Sequence, residues 1–398
     1  MIKNEDMTAY EVMARRFFYL LFTTYVAFIV IFAKQHNDII ANLMGVAMVG
    51  FFIAYQIIFS KKTFYLNSML VLYFIFYLVC ALSVTWSIDV DYSRYTVMRM
   101  TQLFINLVFL YNILKTFKIH EAVFTGLMIG TLFNALLAVG VISVDSPIYW
   151  ARRFIGTTMI SNTIGAMALF SLFGSIFILQ NAKNYLWIFI HVVNILAAYY
   201  IIILTASRSS LVISSLVVFI FMVQLLLNKT TRVYLLLFAG LIFLLILSLV
   251  DLSLLYTKVS YAFYRLSGIF GTLDGQSADS STTERFLFLK ITVAVFLDNP
   301  LFGTGVNTTR VFLNGFYAHN NYIEILATTG LLGWLIYYSI FIHLIWKTFQ
   351  VKEFWTRNYI FLFTLVLLLY DMAAVTFYIK LTLLIILLLH YMAEEKSK

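Results

Sequence analysis

The chain has 398 residues, 62% of them hydrophobic and 11% charged, with a mean hydropathy of +0.93. Soluble domains carry about 25% charged residues, so this composition excludes a water-soluble globular fold. The net charge of +9 is read as membrane anchoring and an anionic lipid substrate rather than a nucleic-acid partner.

Residues 1–16 are polar, and Phe17 opens the first apolar run. Further runs lie at 39–60, 64–84, 97–114, 122–144, 161–180, 185–206, 209–228, 232–250, 321–346, 358–374 and 378–393. A spanning helix needs about 20 apolar residues, so the runs predict about twelve transmembrane helices. Their hydrophobicity is continuous rather than alternating, which argues against a β-barrel. The predicted fold is an all-α integral membrane protein, with 1–398 as a single polytopic domain. The last two runs are short and join around Asp371 to Lys380. They form two spans, one span or a re-entrant hairpin, and that choice decides the side of the C-terminus. Cys80, a lone cysteine inside an apolar run, is assigned to packing.

With the N-terminus in the cytoplasm, Lys61, Lys62, Lys115, Lys118, Lys183, Lys229, Lys347 and Lys352 fall in inner segments. This follows the positive-inside rule. The outer segments are instead rich in arginine: Arg94, Arg99, Arg152, Arg153, Arg208, Arg265, Arg285 and Arg310. Lysine is a hydrated point charge, whereas arginine offers a planar fork that grips phosphate through two parallel hydrogen bonds. An arginine-rich outer face fits a phosphorylated ligand, and it equally fits salt bridges to acids such as Asp89, Asp145, Asp279 and Glu284.

The one long non-spanning stretch, 251–320, is placed outside. Ser281-Thr-Thr-Glu284 has the spacing of a capping box. It predicts a surface helix from Thr282 to Leu297, stopped at Asn299-Pro300, with Phe286, Leu289, Val293 and Phe296 as its apolar line. Tyr256, Tyr261, Tyr264 and Tyr317 are candidates for an interfacial belt or for stacking on sugar rings. No Cys/His metal cluster and no GxxxxGK[ST] phosphate loop is present in the sequence.

Three outer features carry chemistry. Arg208 lies in the short connection Thr205-Ala-Ser-Arg-Ser-Ser210, where a charge is costly unless paired or facing a wet cavity. The alternative is an arginine that reaches to lipid headgroups. Arg285 opens the loop helix, where it can also pair with Glu284 or Asp279. His319 precedes the tenth run, and Glu324 lies about one helical turn inside that run.

The stretch Asn299-Pro-Leu-Phe-Gly-Thr-Gly-Val-Asn307, followed by His319-Asn-Asn-Tyr-Ile-Glu324 and Gly330-Leu-Leu-Gly333, resembles the O-antigen ligase and polymerase superfamily. Thr205-Ala-Ser-Arg208-Ser resembles its outer arginine motif. Arg153-Phe-Ile-Gly156 through Ser161-Asn162 resembles a further segment, without the proline often found before that asparagine. The resemblance implies a C-type glycosyltransferase-like bundle. Its activity would move a glycan from an undecaprenyl-diphosphate-linked oligosaccharide to an acceptor hydroxyl, on the outer face of the bacterial inner (plasma) membrane, without metal or other cofactor. It implies His319, Arg208 and Arg285 as catalytic groups, with Arg153, Asn162, Asn320 and Glu324 as substrate-binding or supporting groups. The implied partners are the acceptor glycan or lipid A-core, membrane lipids and a chain-length regulator. The leading expectation is an O-antigen or capsule-type polymerase, because the Lys-, Ile-, Phe- and Tyr-rich composition suits a low-GC genome. An O-antigen ligase is the alternative, and a lipid or polysaccharide transporter is a more distant one.

Overall fold

A computed structural model describes residues 9–32, 39–59, 64–143, 148–150, 153–156, 160–182, 184–227, 260 and 280–397. The expected run at 232–250 and the tyrosines Tyr256, Tyr261 and Tyr264 lie outside the described residues. So do Arg152, Asp145, Arg265 and Asp279.

The apolar runs form helices, as expected where every backbone amide must be satisfied without water. In chain order these are α1 (Ala9–Phe32), α2 (Ile39–Ile58), α3 (Ser68–Ser83), α4 (Val90–Phe117), α5 (Glu121–Ala138), α6 (Ser161–Asn181), α7 (Tyr185–Thr205) and α8 (Arg208–Leu227). After the undescribed stretch come α9 (Ser280–Asp298), the one-turn α10 (Thr309–Phe312), α11 (Asn321–Phe349), α12 (Phe354–Asp371) and α13 (Lys380–Ser397). Polar side chains set several starts. Asn67 accepts from the Leu70 amide and Asp89 from the Tyr92 amide, each satisfying a free donor of the first turn. The departure from all-α is a small antiparallel hairpin, β1 (Tyr149–Trp150) with β2 (Arg153–Phe154).

Among the described residues, eight helices, α1 to α7 and α11, are long and apolar enough to cross a membrane. The expected count of about twelve is not reached by them. The apolar part of α8 is shorter, Arg208–Phe221. The two C-terminal runs are separate helices, α12 and α13, rather than one.

The chain divides into two compact units, residues 1–48 with 121–277 and residues 49–120 with 278–398. In the first unit α5 packs on α1. A β-carbon at Gly126 would collide with Val26 and the Thr23 carbonyl, and one at Gly130 with Val30. Small residues four apart let two backbones approach where lipid supplies no hydrophobic drive.

In the second unit the C-terminal end of α13 is tied down. Glu394 accepts from Lys347 Nζ at 2.7 Å and from the Tyr111 hydroxyl at 2.7 Å. Glu395 takes Lys115 Nζ at 2.5 Å. The C-terminal residues therefore share the end of this unit that carries Lys115 and Lys347. His319 stands at the opposite end of α11, just before its first residue.

Helix α11 is broken at Gly330, with φ 67° and ψ −171°. The break is filled by the preceding Asn299–Gly305 turn through an exchange of backbone partners. Thr304 N donates to Ala327 O (3.1 Å) and Gly305 N to Thr328 O (2.9 Å). In return Leu331 N donates to Pro300 O (2.8 Å) and Leu332 N to Leu301 O (3.3 Å). The groups on either side of the break are thus paired by another segment, as a buried backbone demands. A β-carbon at Gly330 would strike the Leu301 carbonyl, and its backbone angles lie in a region open to glycine alone. Gly330→Ala should therefore destabilise the protein by at least about 3 kcal/mol, from backbone strain and over-packing together. Gly50, with nothing near its missing β-carbon, is the control. Thermal unfolding in detergent should show a large drop for Gly330→Ala and little for Gly50→Ala; equal midpoints would refute the interlock.

Candidate active site

In the first unit, two motif segments far apart in sequence meet. Helix α7 ends at Thr205, and Ala206 takes a left-handed backbone (φ 46°) that turns the chain into α8. Arg153, on β2, donates through Nε to the Thr205 carbonyl (2.8 Å) and through Nη2 to Asn162 Oδ1 (2.6 Å). Asn162 lies in the first turn of α6. The arginine thus joins the hairpin, α6 and the α7–α8 turn. Gly165 of α6 allows close approach, since its β-carbon would lie 3.0 Å from Thr205, Ser207 and Ser210. Arg208, half-buried, is the first residue of α8. Its guanidinium adds full charge at a helix end whose amides already favour anions.

The second unit holds His319. Helix α9 runs one to two residues beyond the expected bounds, from Ser280 to Asp298. Of the expected capping pair, Ser281 lies outside the described side chains and Glu284 is exposed. Its packed face also differs from the expected apolar line. Thr292 and Val295 are buried, while Phe286 is exposed beneath Lys290, whose Nζ lies 4.7 Å from the ring centroid. An apolar face in lipid needs no protein cover, so apolar periodicity alone does not reveal which side packs. Arg285 and Phe288, three apart, share a helix face. The Phe288 ring lies parallel to the His319 imidazole, within 5° and with centroids 6.4 Å apart. Tyr317 crowds the same imidazole, with centroids at 4.3 Å. Burial, and after it the Arg285 charge, push the His319 imidazole down to about 4. The ring is therefore neutral near pH 7 and able to accept a proton.

The backbone of His319 is left-handed, with φ 55°, a conformation that non-glycine residues rarely keep unless their surroundings impose it. The surroundings are visible. Glu324, fully buried, accepts from the Ala318 amide (3.0 Å) and the Thr309 hydroxyl (2.6 Å). Asn320 is the N-cap of α11, accepting from the Ile323 amide at 3.2 Å. Glu324 anchors Ala318 and Asn320, half-buried, caps the helix start, one on each side of His319.

Sequence reasoning placed Arg310 among the outer arginines without a role of its own, and it overlooked a second group here. Arg310 donates to Asn307 Oδ1 (2.9 Å), and Asn307 in turn donates to Thr96 (2.9 Å). The Arg310 guanidinium lies 5.7 Å from the centroid of Tyr317. The second group is a buried polar cluster of Asn321, Tyr338, Asp371 and Thr376. Its sequence signal was an acid within an apolar run, which marks function or a dedicated partner. Among the described residues no group of three or more His, Cys, Asp or Glu side chains is placed to hold a metal ion.

No curated protein matches the chain. Residues 192–338 match the family model described as O-antigen ligase. That match covers the Arg208 turn, α9, the Gly303–Gly305 turn and the His319 segment, and over this stretch it supports the resemblance to the O-antigen ligase and polymerase superfamily.

Proposed function

We propose that this protein is a surface-polysaccharide polymerase of the O-antigen or capsule type. It extends a glycan carried on a polyprenyl diphosphate, at the outer face of the inner or plasma membrane. The acceptor hydroxyl attacks the anomeric carbon of the donor sugar. The bond from that carbon to the phosphate oxygen breaks, and the polyprenyl diphosphate departs with the electron pair. The hydroxyl proton passes to a ring nitrogen of His319. Arg285 and Arg208 stabilise the charge that develops on the leaving group, the role for which fixed cations are most effective. Metal is not required in this scheme.

The observation that carries the reading is the neutral His319, held in a left-handed backbone beside a cationic arginine. A neutral imidazole has a ring nitrogen free to accept the hydroxyl proton. The match to a family described as O-antigen ligase is shared by a second reading, in which lipid A-core is the acceptor and the donor chemistry is unchanged.

One assay separates these. Purified protein is incubated with lipid-linked repeat units, with and without lipid A-core, and with and without EDTA. Longer lipid-linked glycans formed from repeat units alone are expected, undiminished by EDTA. Product formed only with lipid A-core would make the protein a ligase. Transfer lost to EDTA and restored by magnesium would give a metal the role assigned to the arginines. Substrate crossing a vesicle membrane with no new glycosidic bond would indicate a transporter.

A further inference from the structure

We infer that Asn321 and Asp371 form a positioning pair that holds His319 in its working orientation; this rests on the reading of His319 as the base. Asn321, two residues beyond His319, is fully buried. Its Nδ2 donates to Asp371 Oδ2 (3.0 Å) and to the Tyr338 hydroxyl (3.2 Å). Its Oδ1 accepts the amides of Thr376 (2.9 Å) and Phe377 (3.3 Å). Asp371, also fully buried, accepts in addition from Tyr338 (3.1 Å) and from the Thr376 hydroxyl. The first turn of α11 is thereby bound to the end of α12 and to the 372–379 connection. Tyr322 adds a bond from its hydroxyl to Leu368 O, 2.9 Å.

A buried carboxylate is expensive unless its oxygens are satisfied, and a packing site alone would be served by apolar side chains. Here the acid accepts from the helix start that follows His319, through Asn321, as well as from Tyr338 and Thr376. Glu324 performs the matching task on the preceding residue, through Ala318 N. Between these two anchors His319 keeps a backbone that it would not hold in a free loop. The pair touches no reacting atom; it acts through the placement of the imidazole.

The test is a reciprocal exchange. In Asn321→Asp with Asp371→Asn, the introduced carboxylate can still accept the two amides. The introduced amide can donate to it and to the Tyr338 hydroxyl, which turns to donate to the new carboxylate, and can accept from Thr376. Net charge and hydrogen-bond number are kept, and the three bonds among residues 321, 338 and 371 reverse direction. Each single substitution breaks that pattern. Turnover per folded molecule, donor affinity and thermal midpoint are measured for both singles, the double variant, Thr376→Val and His319→Ala.

The singles are expected to lose about 10–10²-fold in turnover, the range for a misplaced catalytic group. Donor affinity should stay within about twofold, since the loss falls on the chemical step. The double variant should recover most of the turnover. If a single substitution does not fold, Thr376→Val, which removes one hydroxyl, should show the same split to a smaller degree. Turnover unchanged in the folded single variants or in Thr376→Val would overturn the inference. So would a double variant that folds but stays as slow as the singles, or donor affinity lost in step with turnover. His319→Ala separates the two levels. If it remains active, the reading of the base fails; if it is inactive while the singles are normal, the positioning pair alone fails.

Discussion

His319→Ala should lose glycan transfer by about 10²–10⁴-fold, the usual contribution of a positioned acid or base, while still binding lipid-linked donor. The separation follows from the assignment of donor binding to the arginines. His319→Gln discriminates further, because glutamine can hydrogen-bond but cannot take the proton. A base predicts that Gln is nearly as inactive as Ala, whereas a merely positional histidine predicts substantial residual activity. The pH dependence has a definite sign. Burial and the Arg285 charge hold the imidazole at about 4, so the basic form persists well below neutrality. Transfer should be level from pH 7 to about 5 and fall as the ring protonates near 4. An acid limb near the ordinary histidine value of about 6.5 would contradict the neutral, buried ring. Loss of donor binding in folded His319→Ala would move the residue to the diphosphate site. Full activity in both variants would remove it from the mechanism.

Arg208→Ala and Arg285→Ala should each abolish transfer without loss of expression, and lysine at either position should rescue poorly. Lysine keeps the charge but replaces a planar fork with a single ammonium, which cannot engage a phosphate through two parallel bonds. Near-normal turnover of Arg208→Lys or Arg285→Lys would discard the bidentate grip. Unimpaired alanine variants would discard the assignment altogether. Arg285 carries a second signature through His319. Its charge is the smaller of the two causes that lower the imidazole. Residual transfer in Arg285→Lys should therefore keep the low acid limb. In a variant with a neutral side chain the limb should move upward, though not as far as the free value, since burial remains.

Much of the fold was legible because lipid imposes a simple rule: an apolar run of sufficient length becomes a helix. The site segments were legible for a different reason. His319, Asn320, Glu324 and the Gly303–Gly305 turn stand in a short pattern whose spacing resembles a family. What periodicity could not show is pairing between distant backbones. Gly330 reads as one small residue in a helix, yet it is where α11 opens to receive residues 300–305. The Arg153 bridge to Thr205 and Asn162 was equally invisible, because it links three segments by side-chain reach. Asp371 marked only the junction of the last two runs, and nothing in its neighbourhood along the chain pointed to Asn321, fifty positions earlier.

The exchange of bonds at Gly330 also makes residues 305 to 327 a closed loop, its two ends stapled by Thr304 to Ala327 and Gly305 to Thr328. Flexible loops tolerate added length cheaply, since closure cost grows only with the logarithm of length. That tolerance is distributed unevenly here. At the exposed tip, Asn314 to Phe316, extra residues would lengthen the loop and leave its base and the histidine undisturbed. Between Asn321 and Gly330 one added residue would turn the helix start by about 100° relative to the break, carrying Asn321 away from Asp371. The interval from the histidine to the helix break is therefore a ruler, whereas the exposed tip before the histidine tolerates added length.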